Sequence, residues 1–146
     1  MTRSLKIGID SGAELSVIPR EASPELPVKE TEASRNGVKY YGPGDLHEPS
    51  IADYGETRLE MIVESPSGVP MRRSSRFSVA EVRKCLMSVA DMTDVGHDVV
   101  FKAYGKDAYA KHVETGEMTK IKRVGKRYEL HATVLLPGNG KRQGKP

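Results

Sequence analysis

Tryptophan is absent from this chain of 146 residues, phenylalanine occurs twice and cysteine once. The single thiol, Cys85, excludes an internal disulfide framework and any zinc site needing two or more thiolates. Such a chain suits a reducing compartment, and we expect an intracellular, cytoplasmic protein. No apolar run approaches the ~20 residues of a membrane-spanning helix, and the opening MTRSLKIGID lacks the apolar stretch of a secretory signal. No membrane partner is expected. A phosphate-cradling loop is missing too, because Gly42-Pro43-Gly44 leads into neither Lys-Ser/Thr nor a helix pattern. The four histidines, His47, His97, His112 and His131, stand without metal-ligand spacing, so neither metal nor cofactor is expected. Apolar residues make up 37%. That is low for a monomer filling its own core, so a partner subunit is expected to complete part of it.

What is present is unevenly charged. Residues 119–146 carry eight Lys or Arg against Glu129 alone, a balance of +7, whereas residues 1–118 stand at −4. A basic arm of this kind can lie along phosphates by releasing counterions. No aromatic ladder accompanies it. The plainer reading is a solvated hairpin followed by a disordered tail at 137–146, with a weak nucleic-acid contact through 119–146 left open. Arg72, Arg73 and Arg76 form a second basic cluster, read as a solvated face or a contact for an acidic partner. Cys85 adjoins Arg83 and Lys84, but with no Cys–His pattern it reads as a core thiol.

Periodicity points to short strands. LKIGI at 5–9 alternates, Leu15–Ile18 leans to strand, and Pro19 ends it. Residues 19–36, acidic and interrupted by prolines, read as a surface loop. Val38–Tyr41 is strand-like and runs into the turn signal Gly42-Pro43-Gly44-Asp45. Tyr54–Val63 places Leu59, Met61 and Val63 on one face, and Ser65-Pro66-Ser67-Gly68 predicts a hairpin turn with a partner strand from Val69. Phe77, Val79 and Val82 suggest a further strand. Ser88 fits a helix N-cap, with Asp91 three residues on and Gly96 as the stop. Strands then resume at 98–101, 108–113, 118–123 and 128–135. The class is mainly β, a barrel or sandwich with one short helix.

The sharpest feature is Asp10-Ser11-Gly12-Ala13, set between LKIGI and LSVIP. It puts a carboxylate on a tight turn at a strand end. Gly12 gives the turn a backbone freedom that other residues lack, and the Ser11 hydroxyl can fix neighbouring backbone groups. IGIDSGAELSVIP resembles the active-site segment of retropepsin-like aspartic proteases of retroviruses and retrotransposons. LMSVADMTDVG at 86–96 with DVVF at 98–101 resembles the segment and short helix after the protease core of copia-type polyproteins. The hairpins from Tyr109 to Leu130 are similar to those beyond that helix.

The resemblance implies a closed retropepsin-like β-barrel at 1–101, with hairpins at 102–136 packed on or continuing the same domain. It implies an aspartic endopeptidase acting on a retroelement polyprotein. Asp10 is then catalytic, Ser11 and Gly12 support the dyad, and Ala13 and Glu14 lie along the substrate backbone. Gly42, Pro43 and Gly44 form a covering flap over a polypeptide substrate. Two carboxylates sharing a proton are needed, and the chain holds one Asp-Ser-Gly. Asp53-Tyr54-Gly55 has Tyr where the small hydroxyl belongs, so the second Asp10 is expected from a homodimer. The residues leave open a catalytically inactive barrel that binds peptide or protein, or a nucleic-acid module working through the basic arm.

Overall fold

The computed structural model of the chain describes residues 1–22, 24–42 and 44–137. Ten strands account for about half of it: β1 Thr2–Asp10, β2 Val17–Pro19, β3 Lys39–Tyr40, β4 Ile51–Glu64, β5 Pro70–Ala80, β6 Leu86–Ser88, β7 His97–Val100, β8 Ala108–His112, β9 Met118–Val124 and β10 Arg127–Leu135. Two short helices interrupt them, α1 Glu32–Arg35 and α2 Val89–Asp94. The fold is mainly β.

The strands pair in the order β3-β4-β5-β2-β6-β1-β10-β9-β8-β7, and a further β4–β10 pairing joins the sheet back onto itself. Six strands therefore run round a ring, from β4 through β5, β2, β6, β1 and β10 to β4 again, while β9, β8 and β7 continue outward from β10. The alternation of β4 explains the closure. Leu59, Met61 and Val63 point inward and are all but fully buried, meeting Phe77, Ile7, Ile18, Ile121 and Val134 in one core. The intervening residues of β4 face outward or sit at the margin.

The segment at 19–36 is more ordered than a surface loop. A 3₁₀ turn occupies Arg20–Ala22, and α1 makes a second helix where one was expected. Thr31 caps α1: its side chain accepts the Ser34 N–H at 3.1 Å and the Ser34 hydroxyl accepts the Thr31 N–H at 2.9 Å. This reciprocal cap uses serine where the usual signal is Glu or Gln, which hides it in the sequence. Phe77 and Val79 belong to one continuous strand with the residues after Val69, and Val82 lies beyond it. The unbroken register of β5 on β4, from Glu64↔Pro70 to Gly55↔Val79, removes the expected break. The expected tail at 137–146 lies, apart from Pro137, outside the described residues. Among the described residues no helix is long and apolar enough to cross a membrane.

Candidate active site

Asp10 is the last residue of β1, half-buried, and lies beside Ser88 in a parallel pairing with β6. Gly8 makes that pairing tight. A Cβ there would lie 2.9 Å from Leu86 Cδ2, and the bare backbone instead donates its N–H to the Cys85 carbonyl at 2.9 Å. Asp10 Oδ1 accepts the Gly12 N–H at 2.8 Å, which fixes the carboxylate over its own turn. Gly12 does not take a left-handed backbone conformation. A Cβ there would meet the Asp10 oxygen that its N–H holds at 3.4 Å, an ordinary van der Waals contact, so neither backbone conformation nor space demands glycine at this position.

The turn is fastened from below by side chains distant in sequence. The Ser88 hydroxyl donates to the Ala13 carbonyl at 2.8 Å and accepts the Asp91 N–H at 3.1 Å. Its N–H donates to Ser16 Oγ at 3.0 Å, and the Ser16 N–H donates to Asp91 Oδ2 at 2.9 Å. Ser16 also offers its carbonyl to the Ser78 N–H at 2.9 Å, tying the turn to β5. Ser88 is completely buried and Ser16 nearly so. In that low-polarity setting each member holds the others in place. Ser88 does cap α2, but Asp91 does not return to the Ser88 N–H as a local capping box would have it; it reaches across to Ser16. Above this network Ser11, Gly12 and Glu14 are exposed and Ala13 is half-buried.

The hairpin of β3 and β4 carries the other expected site residues. Its loop is gathered by Asp45, whose Oδ2 accepts the Gly42 N–H at 2.8 Å, the Ser50 hydroxyl at 2.8 Å and the Ser50 N–H at 3.2 Å. These bonds, the Gly42 N–H first, hold the Asp45 carboxyl below its usual range. Gly44 takes φ +88°, and Pro43 lies outside the described residues. Leu46, 83% exposed, and Tyr41 stand out into solvent at the tip. At the base, the Tyr40 hydroxyl donates to Asp53 Oδ2, and Asp53 Oδ1 accepts the Gly55 N–H at 2.7 Å. Burial, then the bond and the charge of Asp53, push the Tyr40 phenol up to about 12. Gly55 is left-handed at φ +128°, where a Cβ would lie 2.4 Å from the Lys29 carbonyl. Lys29 and Glu56 exchange backbone bonds of 2.8 and 2.9 Å across that contact.

The chain therefore brings Asp10, Ser11, Gly12, Ala13 and Glu14 together on one turn and sets Gly42 and Gly44 on a separate hairpin. Among the described residues no hydrogen bond or ion pair joins the two groups. Asp53, in a second Asp-x-Gly, is buried with both carboxylate oxygens occupied. Set against protein-family models, curated proteins and solved structures, the chain matches none.

Elsewhere the chemistry is quiet. Burial pushes the Cys85 thiol up to about 12, which removes it as a nucleophile at neutral pH. Among the described residues no three His, Cys, Asp or Glu side chains gather as metal ligands. Within the basic arm, Arg123 is spent on the Gly125 carbonyl and the Tyr128 hydroxyl, at 2.6 and 3.0 Å. Arg127 pairs with Glu129 at 3.2 Å. Sequence reasoning missed the roles of Ser16, Asp91, Tyr40 and Asp53. For Asp53-x-Gly55 a signal existed, since it repeats the Asp10-x-Gly12 spacing and makes the same carboxylate-to-amide bond.

Proposed function

We propose that this chain is one protomer of a homodimeric, retropepsin-like aspartic endopeptidase that cleaves an extended polypeptide, with a retroelement polyprotein as its natural substrate and a cytoplasmic setting. The observation that carries the reading is the Asp10 carboxylate. It sits half-exposed at a strand end, aimed by the Gly12 N–H, on a turn held from beneath by Ser16, Ser88 and Asp91. A reacting group needs that combination of access and fixed orientation. The closed ring of strands fits a retropepsin-like barrel.

Two such turns facing each other across a twofold axis bring two Asp10 carboxylates to share one proton. The ionised one takes a proton from a bound water, whose oxygen attacks the scissile carbonyl carbon. The protonated one gives its proton to the carbonyl oxygen, yielding a tetrahedral diol. Collapse of the diol breaks the C–N bond as the amine nitrogen takes up a proton, and the dyad returns to its starting state. Ala13 and Glu14 flank the carboxylate where a substrate backbone would run. The β3–β4 hairpin with Gly42 and Gly44 is the cover that would shut out water.

The test is digestion of a diverse peptide mixture between about pH 4 and 7, with Asp10→Asn in parallel. Cleavage by the wild type and none by the variant is the expected result. Excess Asp10→Asn mixed into the wild type should also suppress cleavage, because exchanged dimers hold one carboxylate. Equal cleavage by both proteins, or full activity from a species that sediments as a monomer, would sink the reading.

A further inference from the structure

The arginine cluster of β5 lies outside the machinery above, and its strand has an unpaired edge. β5 spans eleven residues and β4 covers one side of nearly all of it. On the other side β2 reaches only Ser78, Val79 and Ala80. The Ser78 N–H turns away from β4 toward the Ser16 carbonyl. Alternate residues of an extended strand point their backbone groups the same way, and the β4 register is unbroken back to Pro70. The N–H and C=O groups of Arg72, Ser74 and Arg76 therefore point out of the sheet. Among the described residues one of those six groups has a partner, the Arg72 carbonyl, which accepts Arg73 Nη1 at 2.9 Å.

This edge does not face open solvent. Arg73, Ser74, Ser75 and Arg76 together line a cleft of 420 Å³ with Asp91, Met92 and Asp94 of α2. Four consecutive strand residues can line one cleft only if the strand presents its edge to it, since its side chains alternate between faces. Much of the lining is apolar and soft, with Met61, Met87, Met92 and Ile121 among it. The outward side chains beside the edge, Arg72 and Arg76, are 66% and 67% exposed, each in a loose surface ion pair at 3.7 Å, with Glu60 and Glu56.

We propose that this cleft is a docking site for an extended acidic segment of a partner protein, which adds a strand to the free edge of β5. Backbone bonds to Arg72, Ser74 and Arg76 would hold it, its alternate apolar side chains would drop onto the methionines, and its carboxylates would meet the arginines. Charge selects the occupant. A second copy pairing β5 on β5 about Ser74 would set Arg72 opposite Arg76 in both rows, which like charges oppose. Asp10, Ala13, Glu14, Gly42 and Gly44 do not line it, although Ser16 and Asp91 from beneath the Asp10 turn do, and the inference does not depend on catalysis.

The probe is a blocked heptapeptide alternating glutamate and valine, followed by amide chemical shifts of the whole chain. Saturable shifts at Arg72, Ser74 and Arg76 are expected, with binding weakened at least about tenfold by Ser74→Pro, which removes one outward N–H and none of the bonds to β4. Ser74→Ala keeps that N–H and should bind as the wild type does. Arg76→Glu should favour the lysine–valine counterpart of the peptide. If Ser74→Pro fails to fold, the same peptide N-methylated at its glutamates, whose amides face β5 in an antiparallel pairing, takes its place and should not bind. Shifts confined to residues 10–14 and 42–45, equal binding of the lysine peptide by the wild type, or binding untouched by N-methylation would each overturn the proposal.

Discussion

The turn at Asp10 and the hairpin at Gly42 are built on opposite principles. The turn is fixed by partners some 75 residues away in sequence, Ser88 and Asp91, through bonds that are buried or partly so. The hairpin loop is gathered by bonds spanning three to six residues around Asp45 and Tyr41, all at or near the surface. Long-range buried bonds open only when the domain opens, whereas local exposed ones open singly. The molecule thus keeps a rigid Asp10 carboxylate and a hairpin loop whose bonds can open one by one, with the Tyr40–Asp53–Gly55 contacts at the base of that hairpin.

Substitutions in the two regions test the contrast. Gly55→Ala should be the most damaging, because its Cβ would enter the space of the Lys29 carbonyl at a left-handed φ. A loss of about 3 kcal/mol or more is expected in urea unfolding. Ser88→Ala strips the Ala13 carbonyl and the Asp91 N–H of their shared partner and should cost about 2 kcal/mol. Amide exchange at Gly12 and Ser16 should quicken while that at Gly42 stays put; equal quickening at both sites would erase the distinction.

Tyr40→Phe leaves Asp53 Oδ2 without its hydroxyl partner and should cost about 1 kcal/mol. Here exchange should quicken at Gly42, Asp45 and Ser50 and not at Ser16. The smallest effect is one of pH. The folded Asp45 carboxyl is depressed, so its ties are fully present above the ordinary carboxylate value and are lost as pH falls through the lower folded value. An acid titration of the Gly42 and Ser50 amide shifts should move the loop and leave Ser88 unmoved, and a midpoint above the ordinary carboxylate value would contradict the assignment.

Much of this was readable from residues alone, but only where the cause is local. The strand before Asp10, the turn after it, the inward face of Leu59, Met61 and Val63, and the Ser88 cap each follow from neighbours within a few positions. What the sequence could not disclose is where Asp91 aims. Its spacing from Ser88 signals a capping box, yet its carboxylate lies on the Ser16 N–H, a choice made only once β1, β2 and β6 are side by side. Gly12 teaches a related lesson: a glycine in a turn signals freedom of φ, and here the backbone does not use it. Periodicity alone does not show that the sheet closes through β10, because that strand has the same alternation whether it pairs with one strand or with both β1 and β4.

That closure has a kinetic consequence. Of these ten strands β1 is synthesised first and β10 last, and they align from Thr2↔Leu135 to Gly8↔Glu129. Until the final strand emerges, β1 has only three residues of β6 to pair with, and Ile7 and Leu130 cannot be covered. Pairing so distant in sequence makes folding slow and late. The nascent chain would hold the Asp10 turn unassembled until synthesis of the domain is all but finished.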